Sequence, residues 1–213
     1  MTGYRLPSTP ATAVRQQKEI AKKVVVATND HGSEISLVCG VDVSYRAGVA
    51  HCSAVVMNVA DLNTIVEQVN TKSEIKHPYI PGLFMLREAG PVLRTLKRVK
   101  RYDLVLVDGH GLLHPRRCGL ACYVGVITNK PAIGAAKSLL CGTVRDSDNY
   151  VELGGDLLGY VIKNEKKKKN KNLYVSVGHK MSLESAVALV RRTIKKGEWL
   201  PEPLRLADTY SKL

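Results

Sequence analysis

Apolar positions along the chain fall into helix-spaced and strand-spaced groups. In residues 10–28, Val14, Ile20, Val24 and Val25 lie among Arg15, Lys18, Lys22 and Lys23, which predicts a helix with one apolar side. A turn at 29–32 leads into residues 35–45, ISLVCGVDVSY, a long apolar strand interrupted by one charge, Asp42. Strands at 50–59 and 65–73 follow, and the short polar turns at 46–48 and 61–63 make the three an antiparallel meander. Residues 77–82, HPYIPG, hold two prolines and a glycine and predict a rigid loop. Residues 83–99 space Leu83, Leu86, Val92, Leu93 and Leu96 as a helix broken or bent at Gly90-Pro91. The run Leu104, Val105, Leu106, Val107 suits a strand buried on both faces, at the centre of an α/β sheet.

Beyond that strand, 120–127 predicts an apolar helix and 132–136 a short strand ending at Lys137. Residues 142–147 and 157–161 read as hairpin strands. The charged stretch 163–171, KNEKKKKNK, reads as a tip between the second of these and a strand at 173–177. Ser182 caps a closing helix to about residue 195, with Glu184 in its first turn, and the remaining residues read as a tail. No internal repeat or linker stands out, so residues 1–213 are expected to form one domain. The order of meander, helix, buried strand, helix, short strand and closing helix is that of a ribonuclease H-like α/β fold, a mixed sheet flanked by helices.

Charge changes the picture more than composition does. Lys and Arg number 32 against 19 Asp and Glu, a formal net charge of +13, which favours a polyanionic partner such as nucleic acid. No run approaches the length of a membrane span, and the first residues lack the apolar centre of a signal peptide, so a cytoplasmic protein is expected. Cys39, Cys52, Cys118, Cys122 and Cys141 are odd in number and lack zinc-type spacing, and they read as small buried hydrophobes. His31, His51, His77, His110 and His179 read as loop or strand polar groups.

Two carboxylates stand where apolar residues would be cheaper. An ionisable group inside a strand such as 35–45 is costly unless paired or metal-bound, which singles out Asp42. Asp108 ends the buried strand and opens DGHGLLHPRR, and ligands of open α/β sheets bind beyond the carboxyl ends of strands. In a ribonuclease H-like sheet the fourth strand pairs beside the first, so Asp42 and Asp108 become neighbours, and Glu88 reaches them from the intervening helix. Three hard oxygen donors suit Mg²⁺, with positions left for water and phosphate.

The segments GVDVSY (40–45), YIPG with REAGP (79–82, 87–91), DGHGLLHPRR (108–117) and IGAAKSLL (133–140) resemble, in order, the successive motifs of the endonuclease V family. The resemblance runs from about residue 35 to the end of the chain. It implies a ribonuclease H-like fold and a Mg²⁺-dependent endonuclease, with Mn²⁺ able to substitute. Its substrate would be nucleic acid containing deaminated adenine (hypoxanthine, the base of inosine). Cleavage would fall at the second phosphodiester on the 3′ side, leaving 3′-hydroxyl and 5′-phosphate, in DNA repair. Asp42, Glu88 and Asp108 match the metal-binding carboxylates, with Asp208 a late acidic position assisting them. Lys137 matches the active-site lysine facing the scissile phosphate, and His114 a histidine contacting substrate or positioning water. Tyr79 matches the aromatic wedge beside the base, and Gly82, Gly109 and Gly111 would line the hypoxanthine pocket. Tyr123 stands where relatives often carry His, and Leu86 where they often carry Phe.

Inosine-containing DNA is therefore the expected partner, with RNA as the alternative, no membrane partner, and a monomer as the expected state. Two other readings remain open: an inosine-specific endoribonuclease on the same scaffold, and a non-catalytic nucleic-acid-binding protein. The presence of Asp42, Glu88, Asp108 and Lys137 together argues against the second.

Overall fold

A computed structural model describes residues 5–28, 35–164 and 171–213. The predicted turn at 29–32, His31 and most of the 163–171 tip, including Lys166–Lys169, lie outside the described residues. The chain enters through helix α1 (Pro10–Ala21) and the meander β1 (Leu37–Arg46), β2 (Val49–Asn58) and β3 (Asp61–Glu74). Helix α2 (Phe84–Leu96), strand β4 (Leu104–Val107), helix α3 (Leu120–Thr128) and strand β5 (Ala132–Ala136) follow. Then come β6 (Thr143–Val144), β7 (Tyr150–Leu153), β8 (Asp156–Ile162), β9 (Leu173–His179), and helices α4 (Leu183–Arg192) and α5 (Glu202–Ser211). The described strands form one nine-stranded sheet in the order β3-β2-β1-β4-β5-β9-β8-β7-β6. This is the mixed α/β sheet flanked by helices that the element order predicts.

Alternation along the strands sorts the core into two layers. Cys39, Val41, Val43, Val105 and Val107 pack against Met85, Ala89 and Val92 of α2 and Leu120, Ala121 and Val124 of α3. Val38, Leu104, Leu106, Ile133 and Val175 face the opposite way, onto Ala186, Leu189 and Val190 of α4 and Leu204 of α5. β4 is buried along its whole length because both layers cover it.

Register places the two strand carboxylates side by side. β1 and β4 run parallel with Val41 opposite Val107, so the next residue of each strand is Asp42 and Asp108. The Asp108 N–H donates to Val41 O at 3.4 Å, extending the pairing by one step. β1 continues beyond this point against β2 alone. The gap where β4 has ended is open for chemistry.

Several boundaries differ from expectation. Helix α1 stops at Ala21, not near residue 28, because three β-branched residues, Val24 to Val26, follow its cap; Val26 instead bridges to Met181 in extended form. The second meander turn is Val59-Ala60, and Asp61–Asn63 already belong to β3. Helix α2 runs through Pro91 without breaking. Its buried face, Met85, Leu86, Glu88, Ala89, Val92 and Leu96, outweighs the roughly 3 kcal/mol cost of an interior proline. The hairpin partner of β8 is β7, which sequence reading did not anticipate, while the predicted strand at 142–147 shrinks to two residues. The tail is not a tail but helix α5, whose prolines sit at Pro201 and Pro203. Proline is tolerated there, where the first-turn N–H groups have no helical partner anyway.

Helix α5 lies across β1 and β2, with Ala207 buried against Val55 and Met57. Gly40 makes the approach possible, since a Cβ there would stand 2.3 Å from the Pro203 carbonyl carbon. Cys39, Cys52, Cys118 and Cys122 are buried free thiols, as expected, whereas Cys141 is only half-buried. Among the described residues no helix is long and apolar enough to cross a membrane.

Candidate active site

A cleft of about 590 Å³ opens over the carboxyl end of β4. Asp42, Glu88, Asp108, Lys137, Asp208, His114, Tyr79, Gly82 and Gly109 all border it, although they come from seven separate stretches of chain. β1 and β4 supply Asp42 and Asp108 at the sheet's open gap. Glu88 comes down from α2 on one face, and Asp208 from α5 on the other. Lys137 follows the last residue of β5, one strand further along.

The carboxylates repel one another at close range. Burial, then Asp108, raises the Asp42 pKa to about 7, with Lys137 pulling the other way. Burial also raises Glu88, to about 8, with the Asp42 and Asp108 charges adding to it and a hydrogen bond from Tyr45 opposing. That bond runs from the Tyr45 hydroxyl to Glu88 Oε1 at 2.7 Å, and the Arg87 guanidinium lies over the Tyr45 ring at 3.8 Å. Asp208 differs: burial favours its neutral form, but Lys212 and Lys137 hold it below the ordinary carboxylate range.

Lys137 is the cation inside this group. Its Nζ lies 2.5 Å from Asp108 Oδ2 and 3.7 Å from Asp208 Oδ1. Burial works against its charge, yet Asp108, Asp42 and Asp208 together keep its pKa above the ordinary lysine value. Lys212 pairs with the far side of Asp208, at 2.5 Å. Four carboxylates against two ammonium groups leave the cleft two formal negative charges in excess (4 − 2 = 2). A hard divalent cation fits that donor set, because carboxylate oxygens are its preferred ligands and excess negative charge is what it neutralises. Among the described residues no three such groups are already drawn together at coordinating distance. Tyr45 holds Glu88 and Lys137 holds Asp108, so both carboxylates would have to turn to share an ion.

The opposite wall is the loop that contains Tyr79 and Gly82. Tyr79 is 60% exposed and meets Phe84 edge-on, with ring centroids 5.9 Å apart. His114 is buried, and both of its ring nitrogens are engaged by backbone: Nδ1 accepts from the Arg116 N–H at 3.1 Å, and Nε2 lies 3.0 Å from Gly82 O. With Nδ1 accepting, Nε2 carries the proton and donates. Burial first, then Arg116 and His110, lowers its pKa to about 4 against the pull of Gly82. In this arrangement His114 borders the cleft as a neutral ring held beneath the Gly82 loop, with both nitrogens engaged by backbone.

Gly111 stands outside the cleft lining. Its N–H donates to Ser176 Oγ at 2.8 Å and its carbonyl accepts from the Gly119 N–H at 2.9 Å. A Cβ on it would stand 2.0 Å from Val177 O, so its lack of a side chain serves packing onto β9. Gly109 and Gly119 border the cleft instead.

Sequence reading missed other cleft residues: Gln17, Phe84, Ser138, Lys212 and His110. His110, read as an ordinary loop histidine, approaches Ser138 O with Nε2 at 2.9 Å, and burial lowers its pKa. The only available signal was its place inside DGHG. Tyr123 is buried in α3 with its hydroxyl on Gln16, and Leu86 packs beside Ala13 and Leu83. Neither residue borders the cleft.

Comparison with known proteins agrees with this arrangement. Residues 18–209 match the family model described as Endonuclease V. An endonuclease V from Thermofilum pendens is 38% identical over 216 residues, covering 99% of this chain and 92% of that protein. The crystal structure of Streptomyces avermitilis endonuclease V superposes with a TM-score of 0.85 at 30% identity, covering 97% of this chain and 93% of that one. Ciona intestinalis endonuclease V, solved with a 24mer DNA containing an inosine followed by a ribo-adenosine, superposes with a TM-score of 0.82 at 28% identity over 95% of both chains.

Proposed function

Because the chain belongs to the endonuclease V family, a family of nucleases with a ribonuclease H-like fold, we propose that it is a divalent-metal-dependent endonuclease for inosine-containing DNA. It would hydrolyse the second phosphodiester on the 3′ side of the deaminated nucleotide, leaving 3′-hydroxyl and 5′-phosphate, in DNA repair. The observation that carries the reading is the convergence of four carboxylates, Asp42, Glu88, Asp108 and Asp208, in one cleft of a strongly basic protein. Bound among those carboxylates, Mg²⁺ or Mn²⁺ would activate water and stabilise charge on the departing oxygen.

The chain's own groups would do the rest. Asp42, Glu88 and Asp108 would hold the cation, and Asp208 would restrain Lys137 beside them. Lys137 would exchange its carboxylate contacts for a phosphate oxygen, placing a fixed positive charge where negative charge develops. The Tyr79–Gly82 loop and Gly109 would receive the base. Hypoxanthine presents an acceptor O6 and a protonated N1, where adenine presents an amino group and an acceptor N1. Rigid backbone groups matched to the first pattern are left unpaired by the second, which discriminates strongly. The base must leave the stack first, at a cost of a few kcal/mol.

A second reading, cleavage of inosine-containing RNA, draws support from the ribo-adenosine that follows the inosine in the Ciona complex. Matched oligonucleotides with deoxyinosine or inosine, in DNA and RNA backbones, separate the two. Metal-dependent cutting of the deoxyinosine strand is the expected result. Cutting confined to RNA would establish the second reading, and undiminished cutting in excess chelator would refute the metal.

A further inference from the structure

Gln17 lies in the first helix, outside every motif discussed above, yet it is only 1% exposed and borders the cleft. Its amide is used at both ends. Nε2 donates to Gly82 O at 3.1 Å and to Cys118 O at 3.0 Å, and Oε1 accepts from Arg116 Nε at 2.6 Å. Arg116 also donates through a terminal nitrogen to Gly82 O at 2.5 Å, and His114 donates to the same oxygen at 3.0 Å. Three donors from two distant parts of the chain thus converge on one carbonyl.

We infer that Gln17 is a positioning residue for base discrimination: it ties the Gly82 carbonyl, Arg116 and the Cys118 carbonyl into one rigid unit behind the wall that would face the target base. The inference rests on the inosine reading above and concerns how that reading's selectivity is built. Gly82 has φ of +73°, a conformation in which small rotations redirect both adjoining peptides. Held from behind by three donors, that carbonyl fixes the Gly82–Leu83 peptide plane, which rotates only as a rigid unit, and so anchors the end of the loop that carries Tyr79. Discrimination by fixed hydrogen-bonding groups requires that they cannot turn to suit the wrong base.

The chemistry also explains why the residue is an amide. Reversing it would set its oxygen against two carbonyl oxygens and its NH₂ against a guanidinium. Glutamate would keep the Arg116 contact but lose both donors and repel the two carbonyls. Methionine would fill the same volume and make none of the three bonds.

Gln17→Met and Gln17→Glu test this with deoxyinosine strands and matched unmodified strands, in saturating Mg²⁺. Expected is a rise in KM of about tenfold on the deoxyinosine strand and a loss of at least about tenfold in the preference for it, with kcat changed far less. A preference equal to wild type in a folded variant, whether or not its melting temperature drops, would overturn the inference and leave the function intact. So would a fall in kcat alone, or failure of both variants to fold, since each marks a merely structural role. Absence of any preference in the wild-type protein would instead overturn the inosine reading itself.

Discussion

Tyr45 donates its hydroxyl hydrogen to Glu88 at 2.7 Å, tying the strand that carries Asp42 to the helix that carries Glu88. The bond opposes the burial that pushes Glu88 up to about 8. Tyr45→Phe removes it and keeps the ring under Arg87. Glu88 should then hold its proton to still higher pH. The acidic limb of kcat/KM against pH should move upward, and the requirement for metal should rise. An unmoved limb with wild-type metal dependence would show that Glu88 takes no part in the reaction.

The raised carboxylates also make stability depend on pH and metal. Asp42 at about 7 and Glu88 at about 8 stand above ordinary values of 3.8 and 4.5, so between about pH 4 and 8 the folded chain binds more protons than the unfolded one. Stability contributed by these groups is therefore complete at low pH and lost as pH rises through 7 to 8. In chelator, the melting temperature should fall between pH 5 and 8 and recover on adding Mg²⁺. Asp42→Asn should flatten the fall and stabilise the metal-free protein at pH 8 by on the order of 1–2 kcal/mol. The same variant should lose cleavage by roughly 10²-fold or more while still binding the strand. Calorimetry across pH, paired with a cleavage assay, checks both halves.

Gly40→Ala probes the contact that brings Asp208 to the site. The new methyl would collide with the Pro203 backbone, which is not the end of a flexible side chain. Relief requires α5 to move away from β1, carrying Asp208 off Lys137. A loss of about 1–3 kcal/mol in denaturant unfolding is expected, with reduced activity in the protein that remains folded. Wild-type stability would mean that α5 is not held where it stands.

The sheet and its carboxylate pair were legible because strand patterning fixes them. The four apolar residues before Asp108 demand burial on both faces, and Asp42 interrupts an otherwise apolar strand. The prop behind the Gly82 loop was not legible in the same way. Gln17 sits on a mostly polar helix, where one buried amide looks like any surface glutamine, and its partners lie 65, 99 and 101 residues away. Helix α5 was hidden by Pro201 and Pro203, which read as breakers in a sequence and act as a helix start in the fold. His114 was singled out in the sequence and does border the cleft, but what it can do depends on which atoms its nitrogens meet. Composition and spacing do not carry that information.

The role proposed for Tyr79 is mechanical, a ring that fills the gap beside the extruded base. Its ring is 60% exposed and touches Phe84 edge-on, so little of the fold depends on it. Pro78 and Pro81 flank it and restrict the backbone, so presenting the ring beside the base costs little ordering on binding. Stacking on an aromatic contributes about 1–3 kcal/mol per base, comparable with the cost of extruding a nucleotide from a duplex. Tyr79→Ala should therefore impair cleavage of duplex deoxyinosine substrate more than of the single strand, where less stacking must be broken. Tyr79→Phe should retain most activity, because the face of the ring matters more than its hydroxyl. Both variants should melt within a few degrees of wild type, as expected for an exposed side chain. Equal losses on duplex and single strand, accompanied by a clear drop in melting temperature, would assign Tyr79 to the support of its loop and remove it from the substrate.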